Sequence, residues 1–225
     1  MKKNLLLFLM MLFTALHAYS QTSFGIKAGL NFSSLKGDGQ SNFSTLIMPN
    51  FGSFAKIKFN QNLVVEPEVL FSFEGAKASG LEGLNAKYNV NYLNFPVLLN
   101  YNVGSGFNIL TGPQIGILLS SKAVLTNTLA VASIGGYQDQ ISSNSISSQQ
   151  YQTNATSSTQ QTVDLSGKIK TMNFSWVLGA SYNIDKTPFS IDLRYNLGLS
   201  NIDTESSSNN HLNVFQLGVE YAFKR

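Results

Sequence analysis

The chain has 225 residues, no cysteine, and 15 Lys and Arg against 12 Asp and Glu. That length holds one all-β domain or two small ones, and the lack of cysteine excludes disulfides and a cysteine-linked lipid anchor. Without Lys2 and Lys3 the balance is 13 basic to 12 acidic residues, too even a surface to attract nucleic acid.

Residues 1–20 read as a secretory signal peptide. Lys2 and Lys3 form the positive start, Leu5 to Phe13 the short apolar core, and Ala18-Tyr19-Ser20 the small-x-small cleavage site. The mature chain, 21–225, is then expected to begin at Gln21. It contains no run of about 18 apolar residues, so no membrane helix is expected.

From there the hydrophobicity alternates with a period of two, the mark of strands with one apolar face. Eight strands are expected: Ser23–Phe32, Leu46–Phe59, Leu63–Glu74, Tyr88–Tyr101, Phe107–Leu119, Lys168–Tyr182, Phe189–Ser200 and Leu212–Lys224. Most exceed the 9–11 or so residues that a tilted strand needs to cross a bilayer. Short turns follow strands two, four and six (Asn60-Gln61-Asn62, Asn102–Gly106, Asn183–Pro188). Longer polar loops follow strands one, three, five and seven (Ser33–Thr45, Gly75–Lys87, Ser120–Gly167, Asn201–Asn210). Short turns on one side and long loops on the other describe an eight-stranded antiparallel up-and-down transmembrane β-barrel, all-β, with periplasmic turns and extracellular loops.

The polar face of each strand is expected to line the bore. Gly25, Gly29, Gly52, Gly112, Gly116, Gly179, Gly198 and Gly218 all share the polar face. An eight-stranded bore barely holds its own side chains, so long polar groups fit there only with small residues between them. Lys27, Lys56, Lys58, Glu66, Glu68, Asp192, Arg194 and Glu220 also lie on that face. One Arg or Lys turned to lipid at mid-membrane costs about 2–4 kcal/mol. These eight residues are therefore expected to form a charge-balanced polar network that plugs the barrel, with Lys56 opposite Glu66 across the Asn60–Asn62 turn. On the apolar face, Phe24, Phe59, Tyr101, Phe107, Tyr182, Phe189, Tyr221 and Phe223 cluster at the periplasmic strand ends as an aromatic girdle. At the other end, Lys168 and Lys170 are expected on the outward face, within reach of lipopolysaccharide phosphates.

No catalytic, cofactor or metal site is expected. The mature chain has one histidine, His211, with Asp203, Glu205 and Ser206–Ser208 nearby in sequence. A Ser/His/acid set can be drawn from these, but lone loop residues of these types are usually just solvated. The Glu66/Glu68 pair suggests acid–base chemistry less than pairing with Lys56 and Lys58. The loop 120–167 is rich in Ser, Thr, Gln and Asn, and its stretch "SSNSISSQQYQTNATSSTQQ" is nearly low-complexity and expected to be mobile. Leu125–Ile134 is expected to extend the fifth strand above the membrane in part.

The segments "FGIKAGLNFS" (Phe24–Ser33), "YLNFPVLLNY" (Tyr92–Tyr101), "GPQIGILLS" (Gly112–Ser120), "DLRYNLGLSNI" (Asp192–Ile202) and "LGVEYAF" (Leu217–Phe223) resemble the PorT-like outer-membrane β-barrel domain family. The resemblance implies a monomeric barrel in the bacterial outer membrane, inserted by the barrel-assembly machinery and surrounded by outer-membrane lipid and lipopolysaccharide. Its role would be structural or that of a surface or periplasmic interaction protein. The family's namesake implies the alternative of an accessory part in protein secretion. A small-solute pore and a lipid-modifying enzyme are weaker alternatives. The chain departs from many such barrels at its end, Phe223-Lys224-Arg225, where an aromatic residue is usual.

Overall fold

A computed structural model describes residues 22–36, 43–79, 84–130, 156–165, 167–204 and 210–223. The proposed signal peptide lies outside the described residues, as do Glu205 to Ser208, the chain end beyond Phe223 and residues 131–155 of the long loop.

Among the described residues there are nine strands: β1 (Thr22–Lys36), β2 (Phe43–Lys58), β3 (Leu63–Ser79), β4 (Leu84–Gly104), β5 (Phe107–Ala130), β6 (Thr156–Asp164), β7 (Met172–Asn183), β8 (Phe189–Gly198) and β9 (His211–Ala222). All pairings are antiparallel. Eight strands close into a ring, because β1 pairs with both β2 and β9 while β4 pairs with β5. β6 stands outside that ring. It pairs with the upper part of β5, from Lys122 to Ala130, whereas β7 pairs with the lower part, from Phe107 to Ile117. The expected long loop 120–167 therefore contains the end of β5 and all of β6. The expected loop Gly75–Lys87 is likewise mostly strand.

The wall has uneven height. β8 is 10 residues long, while β4 has 21 and β5 has 24. Since about 10 residues cross the bilayer, β3, β4 and β5 rise past it, and β6 widens that rise into an extracellular sheet.

The turns explain the periplasmic registers. Asn60 Oδ1 accepts from the backbone N–H groups of Asn62 and Leu63 at 2.9 and 2.8 Å, an Asx turn that closes β2 onto β3. The β4–β5 turn is tighter than expected. β4 continues to Gly104, leaving only Ser105 and Gly106, with φ of 51° and 82°. Two central residues with positive φ match the right-handed twist of the flanking strands.

Burial is inverted relative to a soluble protein. Along β8, Phe189, Ile191, Leu193, Tyr195 and Leu197 are exposed, while Ser190, Asp192, Arg194, Asn196 and Gly198 are buried. The same holds for Phe24, Ile26 and Leu30 on β1 and for Leu217 and Val219 on β9, all exposed. A continuous apolar outer wall around a charged interior is stable only where lipid replaces water outside.

Candidate functional site: the filled bore

The lower bore is organised by Arg194 of β8. Its guanidinium reaches diametrically across the ring to β3 and holds Glu68 with two nitrogens, Nη1 to Oε2 at 2.8 Å and Nη2 to Oε1 at 2.8 Å. The Nη1 arm donates a hydrogen bond, and the Nη2 arm stands against the other oxygen as a close ion pair. Nη2 also donates to Glu220 Oε1 at 3.0 Å, and Nε lies 2.7 Å from Asp192 Oδ2. Lys27 of β1 donates to Asp192 at 2.8 Å, and Lys56 of β2 donates to Glu220 of β9 at 2.7 Å. Arg194 is only 2% exposed. Such a charge is tolerable inside only because each of its donor faces meets a carboxylate.

Glycines make this room. A Cβ on Gly218 would collide with Asp192 Oδ1 and sit 3.0 Å from Lys27 Cε. One on Gly179 would first meet the Leu193 carbonyl oxygen, and then sit 3.0 Å from Arg194 Cγ.

Seven of the eight expected lumen residues meet here. Lys58 does not. It lies at the last position of β2, exposed at the periplasmic rim, because the strand ends before its side chain can enter the bore. Lys56 does sit near Glu66, at 3.9 Å, but its shorter contact is across to Glu220. Glu74, not expected, is buried higher in the bore, where Ser72 and Asn94 donate to it at 2.6 and 3.0 Å. The described interior thus holds five carboxylates, Glu66, Glu68, Glu74, Asp192 and Glu220, against Lys27, Lys56 and Arg194, rather than an even balance. Oxygens of Glu66, Glu68 and Glu220 lie within 4.8 Å of one another, the spacing of a metal cage. Arg194 and Lys56 already occupy that space with their own nitrogens, so the cluster reads as an ion-pair network.

Above the charges lies a layer of amides. Asn31 accepts from Asn50 Nδ2 at 2.6 Å and Gln216 Nε2 at 2.9 Å, and donates to Ser72 Oγ and the Phe73 carbonyl, both at 2.8 Å. These residues share the inward parity of Lys27 and Glu220, and that parity could have revealed them.

The bore is not polar throughout. Phe54, Leu70, Leu98, Leu110 and Val177 are buried in its lower wall. At the extracellular mouth Val90, Tyr92, Leu212 and Val214 meet Ile169 and Ile202 in an apolar cap. Ile169 and Ile202 arrive on connections that fold over the mouth, joined where Lys170 N–H donates to the Ile202 carbonyl at 2.7 Å and Thr204 N–H to the Lys168 carbonyl at 3.1 Å. This corrects the expected strand Lys168–Tyr182. β7 begins only at Met172, and Lys168 and Lys170 flank the buried Ile169 on this connection instead of facing lipid.

Outside, all eight expected girdle residues are exposed at the periplasmic ends. Phe107 stacks obliquely on Tyr182 with ring centroids 4.7 Å apart, and Phe189 on Tyr221 at 5.2 Å. A second aromatic level was not anticipated. Phe51 lies 5.5 Å from Phe71 and 6.2 Å from Phe73, and Phe32 lies 6.0 Å from Phe215. Leu63 and Phe73 are ten residues apart on β3. At about 3.3 Å per residue and a tilt of about 40°, that spans about 25 Å, the height of a lipid-facing apolar band.

His211 begins β9, opposite Lys36 of β1. Asp203 is held by Asn210, whose Nδ2 donates to it at 2.6 Å. No catalytic arrangement of His211, Asp203 and a serine is formed among the described residues.

A closed antiparallel ring with a lipid-facing apolar belt and a filled polar bore defines an integral β-barrel of the bacterial outer membrane. Residues 18–204 match the model of the outer membrane protein beta-barrel domain, and the chain belongs to that family. Among solved structures it is similar to Ail, the attachment invasion locus protein of Yersinia pestis, at 15% identity over 90% of this chain and 99% of that one, with a TM-score of 0.46. It is also similar to Neisserial surface protein A, at 12% identity over 91% and 100% of the two chains and a TM-score of 0.46. OprG of Pseudomonas aeruginosa matches at 14% identity over 90% and 96%, with a TM-score of 0.38. A search of curated proteins finds no match.

Proposed function

We propose that this barrel is a closed, non-catalytic outer-membrane scaffold that carries an extracellular sheet and loops for contacts at the cell surface. The observation that carries this reading is Arg194, whose side chain crosses the bore from β8 to Glu68 on β3. The apolar cap above it supports the same reading, since Ile169 and Ile202 pack over the mouth. A conducting barrel would instead need a lumen lined by groups free to solvate ions. Planar-bilayer recording tests the reading. The refolded protein should give no stable single-channel steps, and a steady, large conductance would overturn it.

An accessory role in protein secretion is the second reading, favoured by the resemblance of Tyr92–Tyr101 and Asp192–Ile202 to the PorT-like family. A pull-down from native outer membrane separates the two, since secretion partners would co-purify only under the second.

A further inference from the structure

The outward face of the extracellular sheet carries a row of lysines that the bore does not use. Lys77 of β3 lies directly opposite Lys87 of β4. Like charges facing each other across strands repel. Lys122 of β5 joins them one step below, opposite Asn89 on one side and Asp164 on the other.

A bulge puts Lys122 there. Below it, Ile115, Ile117 and Leu119 face outward. Between the pairs Asn91–Ser120 and Tyr92–Leu118 the register slips by one residue. Ser121 and Ala123 then turn inward and Lys122 outward. Without that slip the third charge would point into the bore.

Between these strands runs a groove of about 440 Å³. Its floor towards the membrane is Met48 and Phe73, and its upper walls include Lys87, Lys122, Asn89, Asn91 and Ser120. A smaller hollow of about 180 Å³ continues it past Lys77. The side-chain oxygens of Asn89 and Asn91 are buried there without a donor, an arrangement that is costly unless a donor arrives.

The position selects the partner. Phe73 marks the top of the apolar belt, so the lysines stand just above it on the lipid side, at the height of outer-leaflet headgroups. A ligand that fits must be anionic, must supply hydroxyl donors, and must continue into acyl chains below. We propose that this groove binds the phosphorylated sugar headgroup of lipopolysaccharide, with Lys77, Lys87 and Lys122 on phosphate and Asn89 and Asn91 accepting sugar hydroxyls. The site differs from Lys168 and Lys170, which belong to the mouth.

The test is thermal unfolding of the full barrel in detergent, titrated with lipopolysaccharide, with dephosphorylated lipopolysaccharide and with inorganic phosphate. Lipopolysaccharide should raise the melting temperature of the wild type. The triple variant Lys77→Thr/Lys87→Thr/Lys122→Thr should weaken its apparent affinity by about tenfold or more. Lys87→Thr alone should leave the ligand-free barrel equally stable or more stable, by relieving repulsion, yet reduce the lipopolysaccharide-induced shift. That single variant decides the matter if the triple variant does not fold. Unchanged affinity in the variants overturns the proposal. So does equal binding of the dephosphorylated form, an equal effect of inorganic phosphate at millimolar concentration, or an equal loss in Lys168→Thr/Lys170→Thr.

Discussion

The lower bore and the mouth of this barrel are closed by opposite chemistries. Below, Arg194, Lys27 and Lys56 interlock with Glu68, Glu220 and Asp192 where lipid surrounds the wall. Above, Val90, Tyr92, Leu212 and Val214 pack on Ile169 and Ile202 where the wall meets water. Inside the lipid-surrounded wall Arg194, Glu68 and Asp192 are almost wholly buried, so their charge contacts join opposite walls directionally with little competition from water. At the mouth, water is present to drive apolar burial, and the cap needs only shape. Each chemistry sits where its own driving force is available.

Breaking the lower network should have the largest effect. Arg194→Met keeps volume but removes the only guanidinium among four carboxylates. Loss of one partner of a buried pair costs about 3–5 kcal/mol. Urea unfolding in detergent should show that loss, and Arg194→Met/Glu68→Gln should recover part of it by removing the stranded charge. If the double variant is no more stable than the single, the Arg194–Glu68 pair is not what joins β8 to β3.

Loosening the cap should cost less globally and show its effect locally. Leu212→Ala removes a buried side chain from the cap, at about 2–5 kcal/mol for a core position, nearer the low end where exposed connections can settle into the space. Hydrogen exchange should quicken at Leu212 and Val214 on β9 but stay slow at Gln216 to Glu220, where the side chains of Gln216 and Glu220 belong to the polar layers. Equal quickening along all of β9 would mean that cap and network are one cooperative unit.

The two regions also differ in how far the sequence reveals them. Alternation along Phe189–Gly198 reveals which face each residue takes, and the Asn60–Asn62 turn reveals that Lys56 neighbours Glu66, because both facts are local. The bond from Arg194 to Glu68 is invisible to local reasoning, since it depends on which strands lie across the ring. Lys58 shares the parity of Lys56 but lies at the strand end, where parity no longer implies enclosure. The cap escapes for another reason. Ile169 and Ile202 lie in connections, and the alternation that places strand residues says nothing about where a connection folds. Lys122 falls within the expected loop 120–167, and even a strand carried through it would turn the side chain inward by parity from Leu119 until the bulge is known.

The smallest expected effect concerns the space that lets the lower network exist. Gly218 lies on β9 between Glu220 and Gln216, facing the bore, opposite Gly29 of β1 and Asp192 of β8. Its backbone is ordinary strand, so alanine there carries no penalty from φ. What alanine adds is one methyl group where Asp192 Oδ1 and Lys27 Cε already stand. Lys27 is a flexible chain and can yield, but Asp192 is held by both Lys27 and Arg194 and can move only by lengthening one of those contacts. Overpacking of this kind costs about 1–3 kcal/mol. Gly218→Ala should therefore lower stability in urea unfolding measurably while still folding to a closed barrel, and Gly218→Ala/Asp192→Asn should not add the two single losses, because the carboxylate that the methyl group displaces is no longer held by charge. Full additivity would mean that the methyl group strains the backbone of β8 rather than the ion pair, and that the glycines of this bore serve the wall more than its contents.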